Sequence, residues 1–248
     1  MRAPRVILLT LLGFGAATGV YLWGRRVFAE TRRASAVLNE TLPVHSAWWR
    51  ARAKEQGDLL YVALGDSSAQ GIGATAPDHG YVGILARRIA ARSGRSVRTV
   101  NLSVSGATAQ DVVEYQLPRL AKLRPDVVTL AIGVNDIVRW NERGFTSAVS
   151  TILDALPEGA IVAELPYFYL PRSEHRVTFA IQAIRRLADA RKLRVAPLHG
   201  VTKRAGVQGI FTLFSGDRFH PNDSGYELWA SAFAPLVDER VDELATVN

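Results

Sequence analysis

The stretch Leu59-Leu-Tyr-Val-Ala-Leu-Gly-Asp-Ser67 decides the fold. Its first six residues are a continuous apolar run closed by Gly65, as expected of a strand buried on both faces in a parallel sheet. Four later runs repeat the pattern: Val97 to Leu102, Asp126 to Ile132, Ala160 to Leu165 and Leu193 to Ala196. Amphipathic stretches lie between them, near Tyr81 to Ala91, Thr108 to Leu123, Thr146 to Leu156 and Glu174 to Arg191. A last helix is expected from Asn222 toward Leu244, bent by Pro235. Strands alternating with helices predict the α/β class, as a flavodoxin-like three-layer α/β/α domain on a parallel sheet of about five strands.

Working outward from that first strand, each strand is followed by polar residues that suit one chemistry. Ser67 follows the first, Ser105-Gly106 the second, Asn135 the third, Pro166-Tyr167 the fourth, and Asp217 and His220 the fifth. Ligand sites in open parallel sheets form beyond the carboxyl ends of the strands, so these distant residues are directed to one crevice. Asp217-x-x-His220 sets a carboxylate and an imidazole one tight turn apart, and Pro221 then fixes the chain before the last helix. The Gly-x-Ser-x-Gly elbow is absent around Ser67, which points to a different hydrolase scaffold. Asp66 and Asp136 each neighbour a residue directed into the site and are read as braces for their loops. His79, His175 and His199 have no partner at a suggestive spacing, and His79 is read as an exposed loop residue. No carboxylate and histidine cluster suggests a metal, and no cofactor is expected.

The blocks Gly65-Asp66-Ser67, Asn101-Leu-Ser-Val-Ser-Gly106, Gly133-Val-Asn135-Asp136 and Asp217-Arg-Phe-His220-Pro221 together resemble the SGNH, or GDSL-type, hydrolase family. The likeness covers about residues 58 to 230, in order and in approximate spacing, with Ser68 where the family's name-giving leucine usually stands. It implies an esterase of the lipase and lysophospholipase-like kind. Ser67 is then the nucleophile, His220 the base and Asp217 the acid that orients it. The oxyanion is held by the N–H groups of Ser67 and Gly106 and by the side-chain amide of Asn135. Ile137, Trp140, Phe211 and Phe214 are candidates for lining an apolar acyl channel, against ordinary loop packing. The expected substrate is a lipid, lysophospholipid or short-to-medium acyl ester. The alternatives are deacetylation of a cell-envelope carbohydrate, or a membrane-tethered binding module without catalysis.

Charge and composition bound the rest. The 248 residues hold no cysteine, which excludes disulfides, a thiolate nucleophile and Cys-ligated zinc. The net charge of +7 belongs mostly to residues 1 to 57, which hold nine Lys/Arg and three Asp/Glu, so no nucleic-acid footprint falls on the later domain. Residues 6 to 24 carry no charge and are long enough to span a bilayer, with Tyr21 and Trp23 placed for an interfacial belt. The expected organisation is an anchor or signal segment over 1–30, a stalk over 31–57 with Trp48 and Trp49 packing onto the domain, and a hydrolase domain over 58–248. A basic start followed by an apolar run favours an extracytoplasmic domain on a single N-terminal span, or a secreted one if the segment is cleaved. Arg25, Arg26, Arg32 and Arg33 after the span argue the other way.

Overall fold

A computed structural model describes residues 30, 33, 36–38 and 40–246. The apolar run of residues 6–24, with the span and topology expected for it, lies outside the described residues. Among those that are described, no helix is long and apolar enough to cross a membrane.

Strands β1 (Leu59–Gly65), β2 (Val97–Asn101), β3 (Val127–Ala131), β4 (Ile161–Ala163) and β5 (Arg194–Ala196) form one parallel sheet in the order β2-β1-β3-β4-β5. Tyr61 stands opposite Val127, and Thr129 opposite Ile161. The order reverses at β1, which places β1 and β3 at the switch point where crevices open in such sheets.

The helices, in chain order, are α1 over residues 40–52, α2 (Ser67–Gln70), α3 (Tyr81–Ser93), α4 (Ala109–Asp111), α5 (Leu117–Leu120) and α6 (Val134–Val138). They continue with α7 (Glu142–Ala155), α8 (Pro171–Asp189), α9 (Leu198–Arg204), α10 (Gly209–Thr212) and α11 (Asp223–Thr246). Successive strand side chains point to opposite faces, and here both faces are covered. Val62, Leu64, Val128 and Leu130 enter a core roofed by α7 and α8. Tyr61, Ala63, Val127 and Ala131 enter a second core under α3 and α11, where Tyr81 stacks on Phe233 at 5.3 Å. Burial on both faces is why the strands read as continuous apolar runs.

One segment differs from the sequence reading and one bears it out. The single helix expected from Thr108 to Leu123 is split by a π-helical stretch, Val112–Gln116, because Pro118 has no N–H for the carbonyl four residues back. The Leu117 N–H bonds to the Val112 carbonyl instead, one residue further back than in an α-helix. Within the stretch read as a stalk, α1 packs on the domain. Trp49 is 4% exposed, and its indole N–H donates to the Gln70 carbonyl at 3.0 Å, beside His45 Nδ1 at 2.9 Å from the same oxygen.

Candidate active site

β1 ends at Gly65, where a Cβ would lie 2.4 Å from the Ala131 carbonyl oxygen, so only glycine lets this end of β1 sit against β3. Gln116, fully buried on the π-helical turn, clamps the same residue. Its Oε1 accepts the Gly65 N–H at 3.0 Å and its Nε2 donates to the Gly65 carbonyl at 2.7 Å. Asp66 then caps α2 by accepting the Ser68 N–H at 2.9 Å, which sets Ser67 at the first helical position.

Ser67 Oγ lies 2.9 Å from His220 Nε2, and His220 Nδ1 lies 2.6 Å from Asp217 Oδ2. Burial alone would raise the Asp217 carboxyl. Hydrogen bonds from His220, the Phe219 N–H and Ser215 Oγ, with the charge of His220, overcome it and hold the group down at about 2. Its Oδ1 accepts from Ser215 Oγ at 2.7 Å and from the N–H groups of Phe219 and His220 at 3.0 Å each. An ionised carboxylate only accepts, so the proton between it and the ring sits on Nδ1, and Nε2 keeps a lone pair for the Ser67 hydroxyl proton.

The second and third blocks are tied to the first by backbone and amide bonds. The Val104 N–H donates to the Gly65 carbonyl at 3.2 Å, Asn101 Nδ2 to the Ala69 carbonyl at 2.7 Å, and Gln70 Nε2 to the Ser103 carbonyl at 2.9 Å. Asn135 Nδ2 donates to the Ala107 carbonyl at 2.9 Å, which occupies one of its two amide protons. Asp136 accepts the Ala109 N–H at 3.1 Å, so it braces the Gly106 loop against α6. Burial raises the Asp136 carboxyl, against the pull of that N–H. Gly106 has a φ of 79°, a conformation that glycine adopts without a Cβ penalty. These bonds join the loops that carry Ser67, Gly106 and Asn135, which follow β1, β2 and β3 at one edge of the sheet.

A cavity of about 570 Å³ opens beside this edge, bordered by Ser68 next to the hydroxyl and by Phe219 and Pro221 on either side of His220. Ile137 and Phe214 line it. Trp140 and Phe211 do not: the Trp140 ring packs on Phe145 and Phe179 at 5.4 and 5.8 Å, and Phe211 is 76% exposed on α10. Tyr167, Tyr169, Leu213 and Trp229 complete much of the apolar wall. The wall segment after β4 is pinned by Glu174, whose Oε1 accepts the Phe168 N–H at 2.6 Å and whose Oε2 meets His199 Nε2 at 2.9 Å. His199 therefore has a partner that local spacing could not reveal, and His79 likewise meets Asp223 at 3.0 Å.

An α/β/α domain with a Ser–His–Asp chain at the carboxyl edge of its parallel sheet defines the class of serine hydrolases. The chain belongs to the GDSL-like lipase/acylhydrolase family, which matches residues 63–228. It is 24% identical over 225 residues to a GDSL-like esterase of Mycobacterium tuberculosis, across 79% of this chain and 67% of that relative. The fold is shared with a lipase/acylhydrolase from Enterococcus faecalis, with a TM-score of 0.63 and 22% identity, covering 73% of this chain and 96% of that one. An acetylxylan esterase from Geobacillus stearothermophilus also shares it, with a TM-score of 0.58 and 18% identity, covering 73% of this chain and 94% of that one.

Proposed function

We propose that the protein hydrolyses carboxylic esters whose acyl group is longer than acetyl, through an acyl-enzyme on Ser67. The cavity carries this reading: about 570 Å³ of mainly apolar space, lined by Ser68 and by Phe219 and Pro221, the chain neighbours of Ser67 and His220, is far more than an acetyl group fills. Ser67 Oγ attacks the ester carbonyl as its proton passes to His220 Nε2, and Asp217 holds the resulting imidazolium. The oxyanion takes hydrogen bonds from the Ser67 and Gly106 N–H groups and from Asn135. The imidazolium returns its proton to the leaving alcohol, and water then repeats the cycle to release the carboxylic acid and free Ser67. The uncharged run of residues 6–24 supports tethering to a membrane, with the domain on its outer side, which favours lipid or lysophospholipid esters.

The test is full-length protein in nonionic detergent, assayed on p-nitrophenyl acetate, butyrate, octanoate and palmitate beside the Ser67→Ala variant. Hydrolysis extending to octanoate and abolished in the variant is expected. Activity confined to acetate would replace the acyl reading with deacetylation, and activity unaffected by Ser67→Ala would remove the mechanism.

A further inference from the structure

Large apolar side chains exposed to water are few in this domain, and they are not scattered. Of the nine among the described residues, five lie on the segments that form the mouth of the acyl cavity. Val138 is 69% exposed, Leu170 63% and Phe219 43%, and all three line the cavity itself. Val207 at 72% and Phe211 at 76% stand on the adjoining stretch before and within α10, whose Ile210 and Leu213 face inward. They come from four separate places in the sequence: the end of α6, the entry to α8, α10, and the turn between Asp217 and His220. Converging apolar groups that stay wet around an apolar cavity mark a contact surface.

The exposed charges closest in sequence to those apolar groups are predominantly basic. Exposed Arg139 follows Val138, exposed Arg172 lies two residues past Leu170, Arg204 precedes the Val207 segment, and Arg218 precedes Phe219. None of the four pairs with a carboxylate among the described residues. Of the carboxylates near them in sequence, Glu174 turns inward onto His199 and Asp217 onto His220, while Glu142, three residues past Arg139, is exposed. Arg218 also holds a φ of 56°, a left-handed conformation that costs a residue with a Cβ about 1 kcal/mol or more.

We propose that the mouth of the cavity is an interfacial docking face for an anionic lipid surface. The five apolar side chains insert among acyl chains, and the four arginines meet the headgroups. This rests on the acyl-ester reading above and specifies where the substrate comes from: the ester enters directly from the lipid layer, and its acyl chain passes over the rim into the cavity without crossing water. A domain with an apolar rim and predominantly basic flanking charges fits a negatively charged leaflet better than a neutral one.

The test measures docking apart from turnover. Full-length Ser67→Ala protein is mixed with phosphatidylglycerol vesicles or phosphatidylcholine vesicles, and hydrogen–deuterium exchange is followed over residues 205–214. The same is done after adding Val207→Ser with Phe211→Ser, and separately Arg172→Glu with Arg204→Glu, none of which lines the cavity. All forms share residues 6–24, so any tethering by that run is common to them. Slower exchange of residues 205–214 on phosphatidylglycerol only, lost in the serine pair, is expected. Each basic group near an anionic surface strengthens binding about fivefold, so reversing two should lower it at least about twentyfold. Equal exchange on both lipids would overturn the proposal. So would slow exchange without vesicles that grows with protein concentration, which would assign the face to a second copy. In otherwise unmutated protein, failure to hydrolyse any ester would sink the acyl reading while leaving this measurement interpretable.

Discussion

Replacing Asp66 with Asn should change stability in a way that depends on pH. Asp66 is 2% exposed, and burial pushes its carboxyl up to about 6 from an ordinary 3.8, against the pull of the Ser68 N–H and hydroxyl and of His220. Below that ordinary value the group is protonated in both folded and unfolded chains and contributes no pH dependence. Between it and about 6 the unfolded chain has released a proton that the folded chain keeps, so stability falls as pH rises. Above about 6 both are ionised and the penalty is constant, corresponding to about 3 kcal/mol. Asn caps a helix as well as Asp does, so the bond to the Ser68 N–H survives. Urea unfolding from pH 4.5 to 8 should therefore show Asp66→Asn ahead of wild type by about 1 kcal/mol at the acid end, a gap that widens to about 3 kcal/mol by pH 7.5. Asp217 acts in the opposite sense and a lower window. Held at about 2, its stabilisation is complete above the ordinary carboxylate range and fades as pH falls toward 2, outside this measurement. A stability difference that stays flat between pH 4.5 and 8 would refute the burial argument for Asp66.

Asn135→Ala should lower kcat by roughly 10² to 10³ with little change in KM, because the amide is offered to charge that develops in the transition state; equal losses in both constants would count against it. Gln116→Leu leaves the Gly65 N–H buried without the Gln116 acceptor, while the carbonyl keeps the Val104 N–H, so a loss of about 1–3 kcal/mol in urea unfolding is expected, with a fall in kcat on every ester alike. Ile210→Trp narrows the cavity away from Ser67, so kcat/KM for octanoate should drop about tenfold or more while acetate hydrolysis stays within about twofold. Unchanged chain-length preference would show that the acyl group lies elsewhere.

The sheet was legible because its strands are buried on both faces, which writes five apolar runs into the chain. The residues beyond those runs were legible for a related reason: an α/β sheet must turn the chain at each carboxyl edge, and the turns carry unusual polar composition. What the sequence hid was the support beneath them. Gln116 reads as one polar residue in an amphipathic stretch, and nothing nearby shows that a π-helical turn aims it at Gly65, 51 positions earlier. The Glu174–His199 contact spans 25 positions for the same reason. Trp140 and Phe211 show the limit of proximity in sequence. Both follow or precede a site motif closely, yet one ring is taken by an aromatic cluster and the other faces water, because the direction of a side chain from a short loop is set by tertiary packing.

The support also explains how the electrostatics stay simple. Apart from the Asp136 brace on the Gly106 loop, the links that join the first three blocks use neutral groups: Gln116, Gln70, Asn101 and Asn135 bond to backbone carbonyls or N–H groups. Only two buried carboxylates flank the Ser67–His220 pair, and their surroundings drive them apart, Asp217 down to about 2 and Asp66 up to about 6. Asp217 is therefore ionised wherever an imidazole can act as a base, and its charge is a constant of the site. Asp66 changes charge near pH 6, beside the Ser67–His220 pair, so its ionisation falls within the acid limb of the pH–rate profile. Asp66→Asn should remove that ionisation and change the slope or midpoint of the limb. If the limb keeps the same slope and midpoint in the variant, Asp66 is a helix cap alone.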